Sequence, residues 1–396
     1  MSGVWDDLVG QGETVATLRD AAASAAALTR DEDAPGGSMT HAWLFTGPPG
    51  SGRSVAARAF AAALECERDG AGCGECAGCR AVRNGVHPDV HAVVPEGLSI
   101  GVAEMRAVVG TAARRPALGR WQVVVIEDAD RLTEQAGNAL LKAVEEPPER
   151  TVFLLCAPST HPDDMSVTLR SRCRLVALRT PPAAAVADVL IGSGLDDATA
   201  RWAAAVGQGH IGRSRRLVRD AAARDRRAEV LAIPASLTSM QACLDAADRL
   251  VSAAEAEAAA HSAGLDDDEM TALQTALGAG GTGKGAATAA RGMSGALKDL
   301  ERRQKSRATR AQRDALDRAL TDLAAFYRDV LLVHAGASVA SAHPDFDDDV
   351  RAVAAQVSPA GVLQRLDEVL GCREALELNV KPRIAVEAMA AALRLP

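Results

Sequence analysis

Four short apolar runs recur along the first half of the chain: "AWLF" (42–45), "VHAVV" (90–94), "WQVVVIE" (121–127) and "TVFLLCA" (151–157). Each is bounded by turn or helix signals and separated from the next by helical stretches such as "SVAARAFAAAL" (54–64), a pattern that predicts strands alternating with helices. Such alternation gives an α/β fold, a parallel sheet covered by helices on both faces, over residues 1–178. After "SRCRLVALRTPP" (171–182) the β pattern stops. Residues 179–226 then read as a small helical unit, broken at "GQGHIG" (207–212).

From 227 to 396 the pattern is helical, so an all-helical C-terminal domain is expected. Within it, Leu316, Leu320, Leu323, Tyr327, Val330 and Leu331 recur at helical spacing and form one apolar stripe. The preceding turns carry Arg302, Arg303, Lys305, Arg307 and Arg310, read as a solvated face, with nucleic-acid contact the alternative. Residues 252–293, rich in Ala and Gly and containing "LDDDE", read as a flexible insertion.

Composition narrows this picture. The chain of 396 residues is 48% hydrophobic but only 3% aromatic, which favours helix over sheet outside the apolar runs. A formal net charge of −8 argues against a protein that coats nucleic acid by itself. The N-terminus has neither a basic n-region nor an apolar h-region, and no apolar run approaches a membrane span, so a soluble cytoplasmic protein is expected.

The first run leads into Gly47-Pro48-Pro49-Gly50-Ser51-Gly52-Arg53-Ser54, the frame of a phosphate-binding P-loop with arginine where lysine is usual. Backbone N–H groups of such a turn cradle ATP or ADP phosphates, the lysine reaches the outer oxygens and the hydroxyl ligates Mg²⁺. Arg53 keeps the charge but replaces a compact ammonium with a planar fork, leaving two outcomes open: nucleotide held but poorly hydrolysed, or an empty site. The third run ends in Glu127-Asp128, the reverse of the Asp-Glu order an NTPase uses, so both departures point to a weak or dead ATPase. A second partial match, Gly278-x-x-x-x-Gly283-Lys284, is a decoy: Gly285 stands where Ser or Thr belongs and no strand precedes it.

Cys66, Cys73, Cys76 and Cys79 are clustered, with glycines in "CGECAGC" that let the sulfurs converge. Four close thiolates suit tetrahedral Zn²⁺ in a closed structural site, with an Fe–S cluster or free thiols as the competing readings. His87 and His91, nearby, are surplus to a complete shell. Arg172, in "LRSRCR" (169–174) beyond the sheet's last apolar run, reads either as a surface arginine or as a finger reaching a neighbouring subunit's γ-phosphate.

Several motifs occur in one order: "DDLVGQ" (6–11), "HAWLFTGPPGSGRS" (41–54), the cysteine insert (66–79), "HPD" (87–89), "NALLKAVEEPP" (138–148) and "LRSRC" (169–173). Together they resemble bacterial clamp-loader subunits of the AAA+ class, from the DNA polymerase III holoenzyme. The likeness is specific over residues 1–220; beyond that it is only one of helical character and length. Two kinds of subunit share these marks, the motor (tau/gamma) and delta-prime. Arg53 and the Glu127-Asp128 inversion align this chain with the delta-prime kind; an active motor ATPase is the alternative.

The resemblance implies an AAA+ P-loop core over 1–178, a lid over 179–226 and a collar over 227–396 that holds a five-subunit ring together. It makes Arg172 a finger acting in trans on ATP held by a motor subunit, and places Val9, Gly10 and Gln11 beside the base. It carries the second sensor, Gly-x-x-Arg in the family, to Arg213, one place late after Gly209. Implied partners are the tau/gamma motors, the delta subunit, and, through the complex, the sliding clamp and primed DNA. The chain itself would be a stator without catalysis of its own, within a DNA-directed DNA polymerase holoenzyme.

Overall fold

The computed structural model describes residues 3–30, 38–276 and 286–394, the side chains of 286–294 excepted. The decoy glycine motif and the centre of the presumed insertion, 277–285, lie outside these residues. Two compact units are present: residues 1–95 with 99–215, and residues 96–98 with 216–396.

The first unit is built on five parallel strands, β1 (Ala42–Thr46), β2 (Val90–Val93), β3 (Gln122–Ile126), β4 (Thr151–Ala157) and β5 (Arg174–Ala177), in the order β2-β3-β4-β1-β5. Every residue of β1, β3 and β4 is buried, which is why these strands read as continuous apolar runs rather than alternating ones. Alternate side chains serve two separate cores. Trp43, Phe45, Val123, Val125, Val152 and Leu154 pack on one face with Leu18 and Phe60; Leu44, Val124, Ile126, Phe153 and Leu155 pack on the other with Met105 and Leu140. The fifth strand was not expected: it is four residues long and half exposed at the sheet edge, so no apolar run marks it.

The helices of this unit are α1 (Gly12–Thr29), α2 (Arg53–Leu64), α3 (Ala77–Arg83), α4 (Val102–Ala112), α5 (Glu134–Glu145), α6 (Val167–Arg170), α7 (Ala183–Gly192), α8 (Asp197–Gly207) and the start of α9 (Ile211–Arg219). Side-chain caps start several of them: Thr133 accepts from the Ala136 N–H, Ser166 from Leu169 and Asp196 from Thr199. The Asp89 carboxylate of "HPD" is buried and accepts three backbone N–H groups, from Ala117, Leu118 and Gly119, tying the loop before β3 to the turn before β2.

The second unit is helical: α10 (Ala221–Ser236), α11 (Met240–Ala276), α12 (Ala286–Ala335), α13 (Asp347–Gln356), α14 (Pro359–Glu377) and α15 (Pro382–Ala392). The apolar stripe of α12 forms the centre of its core, with Leu316, Leu320, Leu323, Tyr327 and Val330 buried and Leu331 half buried against them. Residues 252–276, expected to be loose, continue α11, because their alanines favour helix and Ala254, Ala258 and Ser262 give it a buried edge. The acidic "LDDDE" and the basic first half of α12 are partners: Arg307 pairs with Glu269 at 2.8 Å and with Asp266 at 3.8 Å. A solvated basic face is thus only part of the picture, since Arg307 is largely enclosed by its acids.

A polar network centred on the buried Arg227 and His343 fastens α10 in this unit. Arg227 donates to both oxygens of Asp345, at 2.6 and 2.9 Å, and to His343 Nδ1 at 2.8 Å, while His343 Nε2 meets the Asp322 carbonyl at 3.1 Å. No helix among the described residues is long and apolar enough to cross a membrane.

Candidate nucleotide cavity and cysteine cluster

Parallel strands place their C-terminal ends along one edge of the sheet, where α/β folds bind ligands. The loop from β1 to α2 turns there. Its Gly50 has φ +86° and faces His210 so closely that a Cβ would be 2.7 Å from the histidine Cβ, a position only glycine fills without displacement. A cavity of about 660 Å³ opens beside the loop, of the size that holds a small-molecule ligand.

Of the residues expected to bind nucleotide, Val9, Pro49, Gly50, Ser51, Gly52, Arg53 and Ser54 line this cavity. Gly10, Gln11, Gly47, Pro48, Glu127 and Asp128 are not among its lining. Gln11 is buried, with its carboxamide donating to the Arg179 carbonyl at 2.6 Å and the Ser51 carbonyl at 3.4 Å and accepting the Arg179 N–H at 3.3 Å, so it fastens backbone rather than a base. Arg213 is also absent from the lining; Arg215, two residues on, is present. The Gly-x-x-Arg spacing is met by Gly212-Arg213-Ser214-Arg215, a register that counting from Gly209 misses.

The cavity is basic. Arg53, Arg58, Arg83, Arg215 and His210 contribute to its wall against one acid, Asp7. Arg53 turns back on its own loop and donates to the Gly47 carbonyl at 2.8 Å. Arg58, one turn beyond Ser54, donates to the Ser54 carbonyl at 3.2 Å and pairs with Glu127 at 3.5 Å. The Glu127-Asp128 pair follows β3; Asp128 has a left-handed backbone, φ 53°, and lies 4.0 Å from Arg131. Asp130, a third acid, is held above the ordinary carboxylate range by burial and then by the nearby Asp128 charge. Arg58, Arg83, His210 and Arg215 escaped the sequence reading, since only the fold gathers α2, α3 and the start of α9 around one cavity.

Arg172 is elsewhere, after α6 and outside the cavity lining. Its guanidinium pairs with Glu145 of "VEEPP" at 2.5 Å and donates to the Thr168 carbonyl at 2.9 Å and to Ser171 Oγ at 3.2 Å. Both side chains of the pair are about 40% exposed, 38% and 40%, so holding the arginine there is worth little, roughly 0–1 kcal/mol.

The four sulfurs of Cys66, Cys73, Cys76 and Cys79 lie within 4.8 Å of one another and could hold a metal ion. Backbone N–H groups point at them: Cys73 N to Cys66 Sγ at 3.5 Å, Cys76 N to Cys73 Sγ and Cys79 N to Cys76 Sγ, each at 3.4 Å. Burial raises the Cys73 thiol, but hydrogen bonds from the backbone of Glu75 and Cys76 outweigh it and bring its pKa down to about 7. Burial raises the Cys79 thiol instead, so the fit rests on geometry: four converging sulfurs, three of them met by backbone N–H groups, suit a soft or borderline cation. His87 and His91 take no part in the cluster.

Residues 27–182 match the family model described as DNA polymerase III, delta subunit. The DNA polymerase III subunit delta' of Pseudomonas aeruginosa is 40% identical over 149 residues, 37% of this chain and 45% of that one. Residues 27–182 are thus similar to DNA polymerase III delta' subunits. The delta' subunit of Escherichia coli is 39% identical over 146 residues, 36% of this chain and 43% of the other. DNA polymerase III subunit tau of Bacillus subtilis also matches, 34% identical over 172 residues, 43% of this chain and 28% of that one. The chain thus spans less than half the length of these curated relatives, and the delta-prime likeness is carried by the unit that holds the cavity and the cysteine cluster.

Proposed function

We propose that this chain is the delta-prime stator of a bacterial clamp loader, a cytoplasmic subunit that holds its place in a five-membered ring while neighbouring tau/gamma motors hydrolyse ATP. The delta subunit would be its other neighbour, and the ring would load the sliding clamp onto primed DNA. The observation that carries this reading is the Arg53 guanidinium bonded to Gly47 of its own loop. The residue that should reach the outer phosphates is spent on the cradle, and Glu127, at the position where an NTPase carries its Mg²⁺-side aspartate, is paired with Arg58.

The basic cavity supports ATP or ADP being held, with Ser54 offering a hydroxyl to Mg²⁺ and Arg58 and Arg215 offering charge to phosphate oxygens. Poor hydrolysis follows from misplaced groups rather than from loss of the pocket. Arg172 would leave its weak pair with Glu145 to reach a motor subunit's γ-phosphate in trans. Zn²⁺ is the ion we assign to the four thiolates. When bound it closes the insert and supplies no catalysis, since all four positions would be filled by sulfur.

Titration of the purified chain with ATP and Mg²⁺, with phosphate release followed on the same sample, tests the reading. Binding without release is expected; steady turnover would make the chain a motor and remove the stator assignment.

A further inference from the structure

Helix α3 is seven residues long and joins two features that the family resemblance treats separately. Cys76 caps its first turn, Cys79 lies within it, and Arg83, one turn beyond Cys79, ends it and lines the cavity. A helix this short does not persist on its own propensity. It is held by α2: Val82 is buried, the Cys79 thiol donates to the Ala62 carbonyl at 3.4 Å, and Gly78 lies so close that a Cβ there would collide with the Glu65 carbonyl. The cluster adds the remaining tie, since Cys66 follows directly after α2 and its sulfur is 4.0 Å from that of Cys76. The Arg83 side chain, by contrast, is exposed and makes no hydrogen bond or ion pair among the described residues. An unmatched cation in a cavity wall that already carries three other arginines is unfavourable until an anion enters.

We propose that Arg83 is an anion-binding residue of the cavity, contacting the phosphates of a bound nucleotide, and that the metal held by the four cysteines sets its position. Metal occupancy and nucleotide affinity are then coupled through α3. This rests on reading the cavity as a nucleotide site. The cysteine insert thereby supplies one of the cavity's cations.

Calorimetric titration with ATP, with zinc content measured on the same samples, tests the coupling in the full chain. Arg83→Ala should keep its metal and weaken ATP by about tenfold, the loss of one charge-assisted hydrogen bond. Cys76→Ser should lose metal and weaken ATP to a similar degree, and the Arg83→Ala/Cys76→Ser double variant should bind no worse than either single one. Should Cys76→Ser fail to fold, stripping the unaltered chain with a chelator and restoring zinc gives the same comparison, with helix content checked by circular dichroism. ATP affinity in Arg83→Ala equal to that of the unaltered chain would overturn the residue assignment while leaving the nucleotide reading intact. Undiminished affinity after metal removal, or full additivity in the double variant, would overturn the coupling. No ATP binding by the unaltered chain would overturn the nucleotide reading itself, and the proposal with it.

Discussion

In the first unit Arg53, Arg58, Arg83 and Arg215 line one cavity against a single aspartate, whereas in the second unit the arginines are met by acids. There Arg227 has Asp345, Arg307 has Glu269, Arg373 has Asp317, and Arg216, Arg226 and Arg318 converge on Glu257. The side chain is the same and its use is opposite. Matched arginines fix helices to one another; Arg83 and Arg215, without an acid partner among the described residues, leave a field that an incoming anion satisfies. Composition gives no hint of this, because the chain is acidic overall while its cavity is basic.

The contrast can be broken at several points. The largest expected effect is in trans: Arg172→Ala should lower the ATPase of a reconstituted loader by about 10³ at the neighbouring site, at unchanged stability of the chain. Equal rates would return Arg172 to the class of surface arginines. Next is Arg227→Ala, which leaves the buried His343 without its donor while the exposed Asp345 carboxylate can rehydrate, and should cost about 1–3 kcal/mol, read as a lower denaturant midpoint. A change below about 1 kcal/mol would mean that the network does not hold the second unit together.

A smaller effect is set by pH. Burial first, and then the Arg227 charge, depress His343 below its ordinary pKa. Arginine can only donate, so His343 Nδ1 accepts from it and the ring proton lies on Nε2, facing the Asp322 carbonyl. The unfolded histidine takes up a proton near pH 6.5 while the folded one resists. The contribution is therefore complete above that pH and is lost as pH falls toward the depressed folded value. Thermal unfolding at pH 5 and pH 7.5 should differ in that sense, and His343→Gln should flatten the difference. The smallest effect is at the exposed pair: Glu145→Gln should alter stability by less than about 1 kcal/mol, and a larger loss would show Arg172 to be a structural residue.

The legible parts of the fold were those written locally. β1, β3 and β4 announce themselves because both faces are buried, and the glycine loop and cysteine insert are contiguous in sequence. β5 was missed because an edge strand of alternating exposure carries half the apolar signal. The stretch "LDDDE" and the basic turns of α12 were read apart because their pairing spans 38 residues between Glu269 and Arg307. The cavity's cations were missed for the same reason: Arg58, Arg83 and Arg215 share no local pattern, and Gly212-x-x-Arg215 was passed over for an earlier glycine. Nothing within "VEEPP" and "LRSRC" indicates that Glu145 and Arg172 meet, and that contact is a product of the fold alone.

Gln11 gives the first unit a mechanical property. One carboxamide is fastened to the phosphate loop at Ser51 and, through both its oxygen and its nitrogen, to Arg179, where the chain leaves β5 for the helices α7 to α9. It acts as a rivet between two segments. Separating those helices from the loop would break either the one bond to Ser51 or the two bonds to Arg179. The one side chain thus ties the position of the loop to that of the segment leading into α7.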